Sequence, residues 1–262
     1  TAGPISLINF FFVFVIVRRR FLIDSLSKCS IHDAECQKNL LQTVIRDVSK
    51  TGVPELEIPP LDPMHIQDLT FSILNVSDLT LVDGYLKGLK NCIVDSFVTH
   101  IEQKRTEAEI TCDLTIKGAY KIVSSDKPLL KNLFGDNPIH GEGQGKIDIE
   151  KLHLKFDFHF KVHKNKDDGL TYFKFLGDTL KYDYKVLGKT TFAADSIYLG
   201  NVDSTKAVVD MLNQNEKLLV STFGRTIIDV AIDKYVKVLI GTIFDKVAAE
   251  HFIIETLVDL DN

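Results

Sequence analysis

Residues 146–162 read KIDIEKLHLKFDFHFKV, and the fold turns on how they are read. Ile147 and Ile149 alternate with charged neighbours until Glu150-Lys151 sets two polar residues side by side. Leu152, Leu154, Phe156, Phe158, Phe160 and Val162 then resume the alternation on the shifted parity. A period of two marks a strand with one buried face. A parity switch over two polar residues predicts a β-bulge, which bends the strand. Straight, the segment would exceed roughly 50 Å at about 3.3 Å per residue, far beyond an ordinary strand. A strand this long with one apolar face must curl around something.

Its neighbours repeat the pattern. Leu69, Phe71 and Ile73 alternate, as do Leu79 and Leu81, and as do Ala108, Ile110, Cys112, Leu114 and Ile116. Asn165 to Gly169 turns the chain, and strands are predicted over Tyr172–Leu176 and Leu180–Val186. After Gly200 the period becomes helical, with a short helix over 203–212 and a long one over 217–247, about 46 Å at 1.5 Å per residue. Arg225, Asp229, Asp233, Lys237 and Asp245 form a narrow polar stripe on the long helix; the rest is apolar, as in a helix buried by its surroundings. Upstream, Ser30 and Asp33 cap a first amphipathic helix over 31–50, which Gly52-Val53-Pro54 stops. The crowded prolines from Pro54 to Pro63 force an extended connector. The fold class is therefore α+β: a long, highly curved antiparallel β-sheet wrapped around a long C-terminal α-helix, with a short N-terminal helix.

Composition sets bounds. Of 262 residues, 45% are hydrophobic and 26% charged, an ordinary globular balance at a net charge of -5. That charge argues against nucleic acid, whose phosphates call for clustered Lys and Arg. The chain begins at Thr1, which reads as a fragment or a processed product. Pro4–Val17 is almost wholly apolar and Arg18-Arg19-Arg20 follows: a truncated or misread secretion signal, a short anchor, or a greasy extension. Residues 1–23 are set aside as that extension, and 24–262 are read as a single domain. Cys29 and Cys36 stand where the folded part begins; a disulfide there requires an oxidising compartment. Asn75-Val76-Ser77 is a glycosylation sequon, in keeping with export.

Motifs that imitate chemical sites read as structure. Gly141-Glu142-Gly143-Gln144-Gly145-Lys146 imitates a phosphate loop, but Ile147 follows the lysine and opens a strand, so the glycines serve a sharp turn. His153, His159 and His163 share the polar face of the long strand, about 13–20 Å apart, too far to converge on a metal. A turn over 103–106 would place Cys112 nearer Phe97 than Cys92, so Cys112 reads as a buried free thiol, with a second disulfide the alternative. No nucleophile elbow, zinc-protease helix or dinucleotide fingerprint appears; no enzyme, metal or cofactor is expected.

Taken in order, Cys29 and Cys36, Gly52-Val53-Pro54, Pro59-Pro60-Leu61-Asp62-Pro63, Gly88-Leu89-Lys90-Asn91, Gly118-Ala119-Tyr120, Pro138 to Gly143 and Leu212-Asn213-Gln214-Asn215 carry a resemblance. The chain resembles the takeout and haemolymph juvenile-hormone-binding proteins of insects over about residues 28–250. The resemblance implies a super-roll of the tubular lipid-binding type, a Cys29–Cys36 disulfide and secretion. It also implies a hydrophobic tunnel that carries a juvenile-hormone-like terpenoid, a fatty acid or a quinone-like lipid. Glu216 stands where members usually carry Trp, and Ala248-Ala249-Glu250-His251 replaces a proline-bearing end. The hormone binders also carry a second disulfide further along; with no partner pair evident here, the takeout branch is favoured.

The expected pocket lining is Phe71, Ile110, Leu114, Tyr120, Phe156, Phe158, Phe160, Tyr182, Tyr184, Phe223, Ile227 and Val230. Hydroxyls of Tyr120, Tyr182 or Tyr184 would orient a ligand oxygen. The first helix is a candidate lid over one tunnel end. The expected protein is a secreted, monomeric, non-enzymatic carrier of a hydrophobic small molecule. The alternative is a lipid- or membrane-surface interaction protein without an enclosed ligand.

Overall fold

The structure, a computed structural model, describes residue 23 and residues 26–73, 77–124 and 138–257. The sequon at Asn75 and the apolar run Pro4–Val17 lie outside the described residues. One nine-stranded antiparallel sheet is built from β1 (Met64–Ile73), β2 (Ser77–Lys87), β3 (Ile93–His100), β4 (Arg105–Ser124), β5 (Ile139–Lys164), β6 (Thr171–Val186), β7 (Thr190–Ala194), β8 (Ile197–Leu199) and β9 (Val202–Asp203). Its spine is the β4–β5 pair, in register from Arg105 opposite His159 to Val123 opposite His140. Beyond β4, β3 pairs with its first half and β2 with its second, and β1 forms the edge outside β2. Beyond β5, β6 takes the second half while β7 and β8 take the first.

The bend falls where the parity switch predicts it. Cys112 pairs with Leu152 and Leu114 with Ile149, so Asp113 alone faces both Glu150 and Lys151. Lys151 takes a left-handed φ of 52°, and its N–H donates to the Asp113 carboxylate at 2.7 Å. Further register shifts between Leu81 and Asp83, Val94 and Ser96, and Asp157 and His159 add curvature, since each unpaired residue tightens the local twist.

Helix α1 (Ala34–Thr51) starts where the Asp33 side chain accepts from the Cys36 N–H, and ends at Gly52. With φ of 67° there, a Cβ would stand 2.3 Å from the Ile58 carbonyl oxygen, so only glycine fits. α1 lies along the β3 edge. The Gln42 amide donates to the Cys92 carbonyl at 2.8 Å and accepts from the Val94 N–H at 2.8 Å, as a neighbouring strand would. Gln37 accepts from the Thr99 hydroxyl at 2.8 Å and donates to the Ile31 carbonyl. These bonds pin the helix to the edge of the sheet.

At the C-terminal end, α2 (Thr205–Gln214) leads into α3 (Glu216–Ala231), a π-helical turn (Ile232–Val236) and α4 (Lys237–Lys246). Together they are the long helix of the sequence reading. The polar stripe faces outward and carries the ion pairs Arg225–Asp229 and Asp233–Lys237. The helix lies in the hollow of the sheet but is less enclosed than its composition predicts. Leu218 and Val238 are 64% and 62% exposed, and in α3 no residue is fully buried. α4 lies closely against β6, whereas strands touch α3 only sparsely. Periodicity identifies an apolar face; it does not say how nearly the sheet closes over it.

Cys29 and Cys36 are bonded. Cys92 and Cys112 are bonded as well, which overturns the expectation of a free thiol. The reason is register. The β3–β4 connection turns over Ile101–Gln103, earlier than expected, so Ile93 pairs with Thr111 and Phe97 with Ala108. That brings Cys92 opposite Cys112, and it removes the lack of a second bridge as a ground for favouring the takeout branch.

Candidate functional site

Two halves of the roll differ in packing. Phe160, 1% exposed, Val162 and Phe173 pack with Ile31, Ala249 and Ile253, and α1 closes this end through Val48 against Val247. Phe158 meets Phe175 edge-on at 5.2 Å between centroids, and Phe244 of α4 completes the ring cluster. Phe156 packs with Ala108 and Ile232, while Leu114 and Ile110 pack around the Cys92–Cys112 bridge. Of the expected lining, Phe156, Phe158, Phe160, Leu114 and Ile110 thus stand in packed core clusters.

The other half is different. Cross-strand register puts Phe71, Leu79, Leu81, Ile116, Ile122, Ile147 and Phe192 on the same concave face. All are half-buried, and none belongs to, or packs against, any of the core clusters. Phe223, Ile227 and Val230 are half-buried too. At 3.6 residues per turn they share a side of α3 away from Arg225 and Asp229. Together these residues form an open apolar trough between α3 and the sheet. The sequence reading selected Phe71, Phe223, Ile227 and Val230 from it but missed Leu79, Leu81, Ile116, Ile122, Ile147 and Phe192. The alternation in β2 and β4 carried that signal; β7 was not read as a strand.

The trough has unequal margins. On the β6 side, the Tyr182 hydroxyl donates to the Asp229 carboxylate, and the Arg225 guanidinium lies 4.0 Å over the Tyr182 ring. The Tyr184 hydroxyl donates to the Val220 carbonyl at 2.9 Å. Burial, then the bond to Asp229, pushes the Tyr182 phenol upward; burial raises Tyr184 as well. On the β1 side, the Lys234 ammonium reaches the Gln67 carbonyl at 3.4 Å. One margin is latched by tyrosines, the other spanned by a surface lysine.

Tyr120 lies at the far end of the concave face, where its hydroxyl donates to the Asp195 carbonyl and burial pushes its phenol up to about 12. The Gly141–Gly145 run gives it room: a Cβ at Gly145 would meet the Tyr120 ring at 3.3 Å, and one at Gly143 would strike the Asp195 carboxylate. These glycines serve close packing. All three tyrosines proposed to orient a ligand therefore already bond to protein atoms. Thr190 does not. It pairs with Ile149 on the concave face, is 2% exposed, and its hydroxyl is the one buried side-chain polar atom without a partner among the described residues. Leaving such a group unpaired costs about 1–3 kcal/mol.

On the convex face, His153 sits 3.4 Å from both Asp95 and Glu109, and His163 stacks on Tyr172. A surface depression of about 830 Å³ is lined by Ala193, Ala194 and residues of the 203–210 segment. Among the described residues no helix is long and apolar enough to cross a membrane.

Comparison with known proteins agrees with this architecture. Residues 8–254 match the sequence model of the haemolymph juvenile hormone binding protein (JHBP) family. The fold is similar to the crystal structure of Epiphyas postvittana Takeout 1, with a TM-score of 0.73 and 23% identity over 87% of this chain and 100% of that one. A lipopolysaccharide binding protein aligns at a TM-score of only 0.36 and 10% identity, over 81% of this chain and 40% of that one, too distant to inform the site. No curated protein matches. The family match spans the whole curved sheet and its helix, and the chain accordingly belongs to the haemolymph juvenile hormone binding protein (JHBP) family.

Proposed function

We propose that the chain is a secreted, monomeric carrier, folded as a single domain over 24–262, that holds an elongated hydrophobic small molecule in the trough between α3 and the concave face. The supporting observation is the division of the molecule. Packed clusters occupy one half, while in the other Phe71, Leu79, Leu81, Ile147 and Phe192 turn half-buried apolar surface toward α3, which the strands touch only sparsely. Burying a guest there is favourable by about 25 cal/mol per Å² of apolar area, before the losses of association. A juvenile-hormone-like terpenoid, a fatty acid and a quinone-like lipid all suit an elongated apolar site. The two disulfides favour an oxidising, extracellular location.

Native mass spectrometry of the full chain, followed by solvent extraction, tests this reading. A discrete co-purifying mass that extraction removes is the expected result. Mass of the bare chain alone, together with pelleting on phosphatidylcholine vesicles, would instead support a surface-binding role.

A further inference from the structure

The trough carries little polarity, and its one buried side-chain polar atom without a partner among the described residues has a defined place. Ile149, opposite Thr190, packs against the cluster around the Cys92–Cys112 bridge, whereas Phe192, two positions on, packs against none. Thr190 therefore marks the point where solid core gives way to trough. Its hydroxyl can donate one hydrogen bond and accept others. The flanking Ile149 and Phe192 are half-buried, so a guest that displaces them meets the hydroxyl.

The surroundings restrict what that guest offers. Among the described side chains, the concave positions of β1, β2, β7, the second half of β4 and the first half of β5 hold Leu, Ile, Phe, Met, Gly, Ala, Thr190, Tyr120 and, at the end of β4, Ser124, and no carboxylate, ammonium, guanidinium or imidazole. A carboxylate placed against these strands would lose hydration with no counter-charge on the concave face, since Arg225 and Lys234 stand at the margins. A neutral acceptor oxygen loses far less, and a single O–H donor satisfies it.

We infer that Thr190 is the polar anchor of the carrier site, and that the preferred guest is a long apolar molecule bearing an uncharged oxygen acceptor (ester, ketone, ether or epoxide) rather than a free carboxylate. This rests on the carrier reading. The test is displacement of the apolar fluorophore N-phenyl-1-naphthylamine from the full chain by methyl palmitate, palmitate and hexadecane at pH 8. The wild type should prefer the ester to both competitors. Thr190→Val, which keeps the shape and removes the hydroxyl, should melt no lower than wild type. It should lose about five- to tenfold in affinity for the ester and leave hexadecane unchanged. Thr190→Ser should retain the ester preference. An ester affinity unmoved by Thr190→Val, an equal loss for ester and alkane, or a wild type that prefers palmitate would each overturn the assignment. If the fluorophore and all competitors fail to bind the wild type, the carrier reading itself fails, and the anchor falls with it.

Discussion

Gln42 spends both ends of its amide on one edge strand, taking the place of a missing neighbour for Cys92 and Val94. Gln42→Ala leaves a part-buried carbonyl and N–H without partners, a loss of about 1–3 kcal/mol. The melting temperature should drop by about 2–4 °C for each kcal/mol at this chain length. An unchanged melt would mean that water serves the edge equally well. On the convex face, Arg105 grips Asp157 with two hydrogen bonds at 2.8 and 2.7 Å. The bond from Arg105, and then its charge, hold the Asp157 carboxyl below the usual carboxylate range. A carboxylate depressed in the folded state contributes stability above its unfolded pKa, about 3.9, and loses it as pH falls through the folded value. Asp157→Asn should therefore melt below wild type at pH 7, with the gap closing below about pH 4. A gap that widens in acid would refute the assignment.

At the scale of elements, α3 and α4 are held by different means. Phe244 buries its ring among Phe158, Phe173 and Phe175, so α4 is part of the core. α3 depends on the hydroxyls of Tyr182 and Tyr184, two residues apart on β6. Replacing both by Phe should cost about 0.5–1.5 kcal/mol per bond. It should also speed amide hydrogen exchange through 216–231 while 237–246 keeps its protection; equal acceleration along both segments would show that they open as one unit. The same elements show what the sequence makes legible. The bulge at Glu150-Lys151 could be read because two adjacent polar residues break a period of two, and the helix because its apolar positions recur at 3.6. The Cys92–Cys112 bond could not, because a hairpin register shifts with a turn whose start the composition of 100–106 leaves open. Nor could the separation of core from trough: Phe160 and Phe192 look alike along their strands, and only packing distinguishes them, since Phe160 sits in a closed cluster and Phe192 in none.

For the whole molecule, the proposed trough assigns stability and binding to different halves. A single apolar core would couple the two, since any cavity would weaken both. Here the rings of Phe158, Phe160, Phe173 and Phe244 interlock at the end that α1 and the C-terminal segment close, with Ser30 and the Ile31 N–H both bonded to Glu255. Phe160→Ala empties a fully buried site, and such truncations cost about 3–5 kcal/mol. Guest affinity, measured well below the melting temperature, should stay within about twofold of wild type, because the void opens away from the trough. Phe192→Ala removes a ring that packs in no cluster. It should cost under about 1.5 kcal/mol in stability yet weaken an apolar probe several-fold, as buried ligand area is lost. The pair is decisive only together. If Phe160→Ala abolishes binding at a temperature where the variant is still folded, the guest reaches into the aromatic end, and the boundary drawn at Ile149 and Thr190 is misplaced.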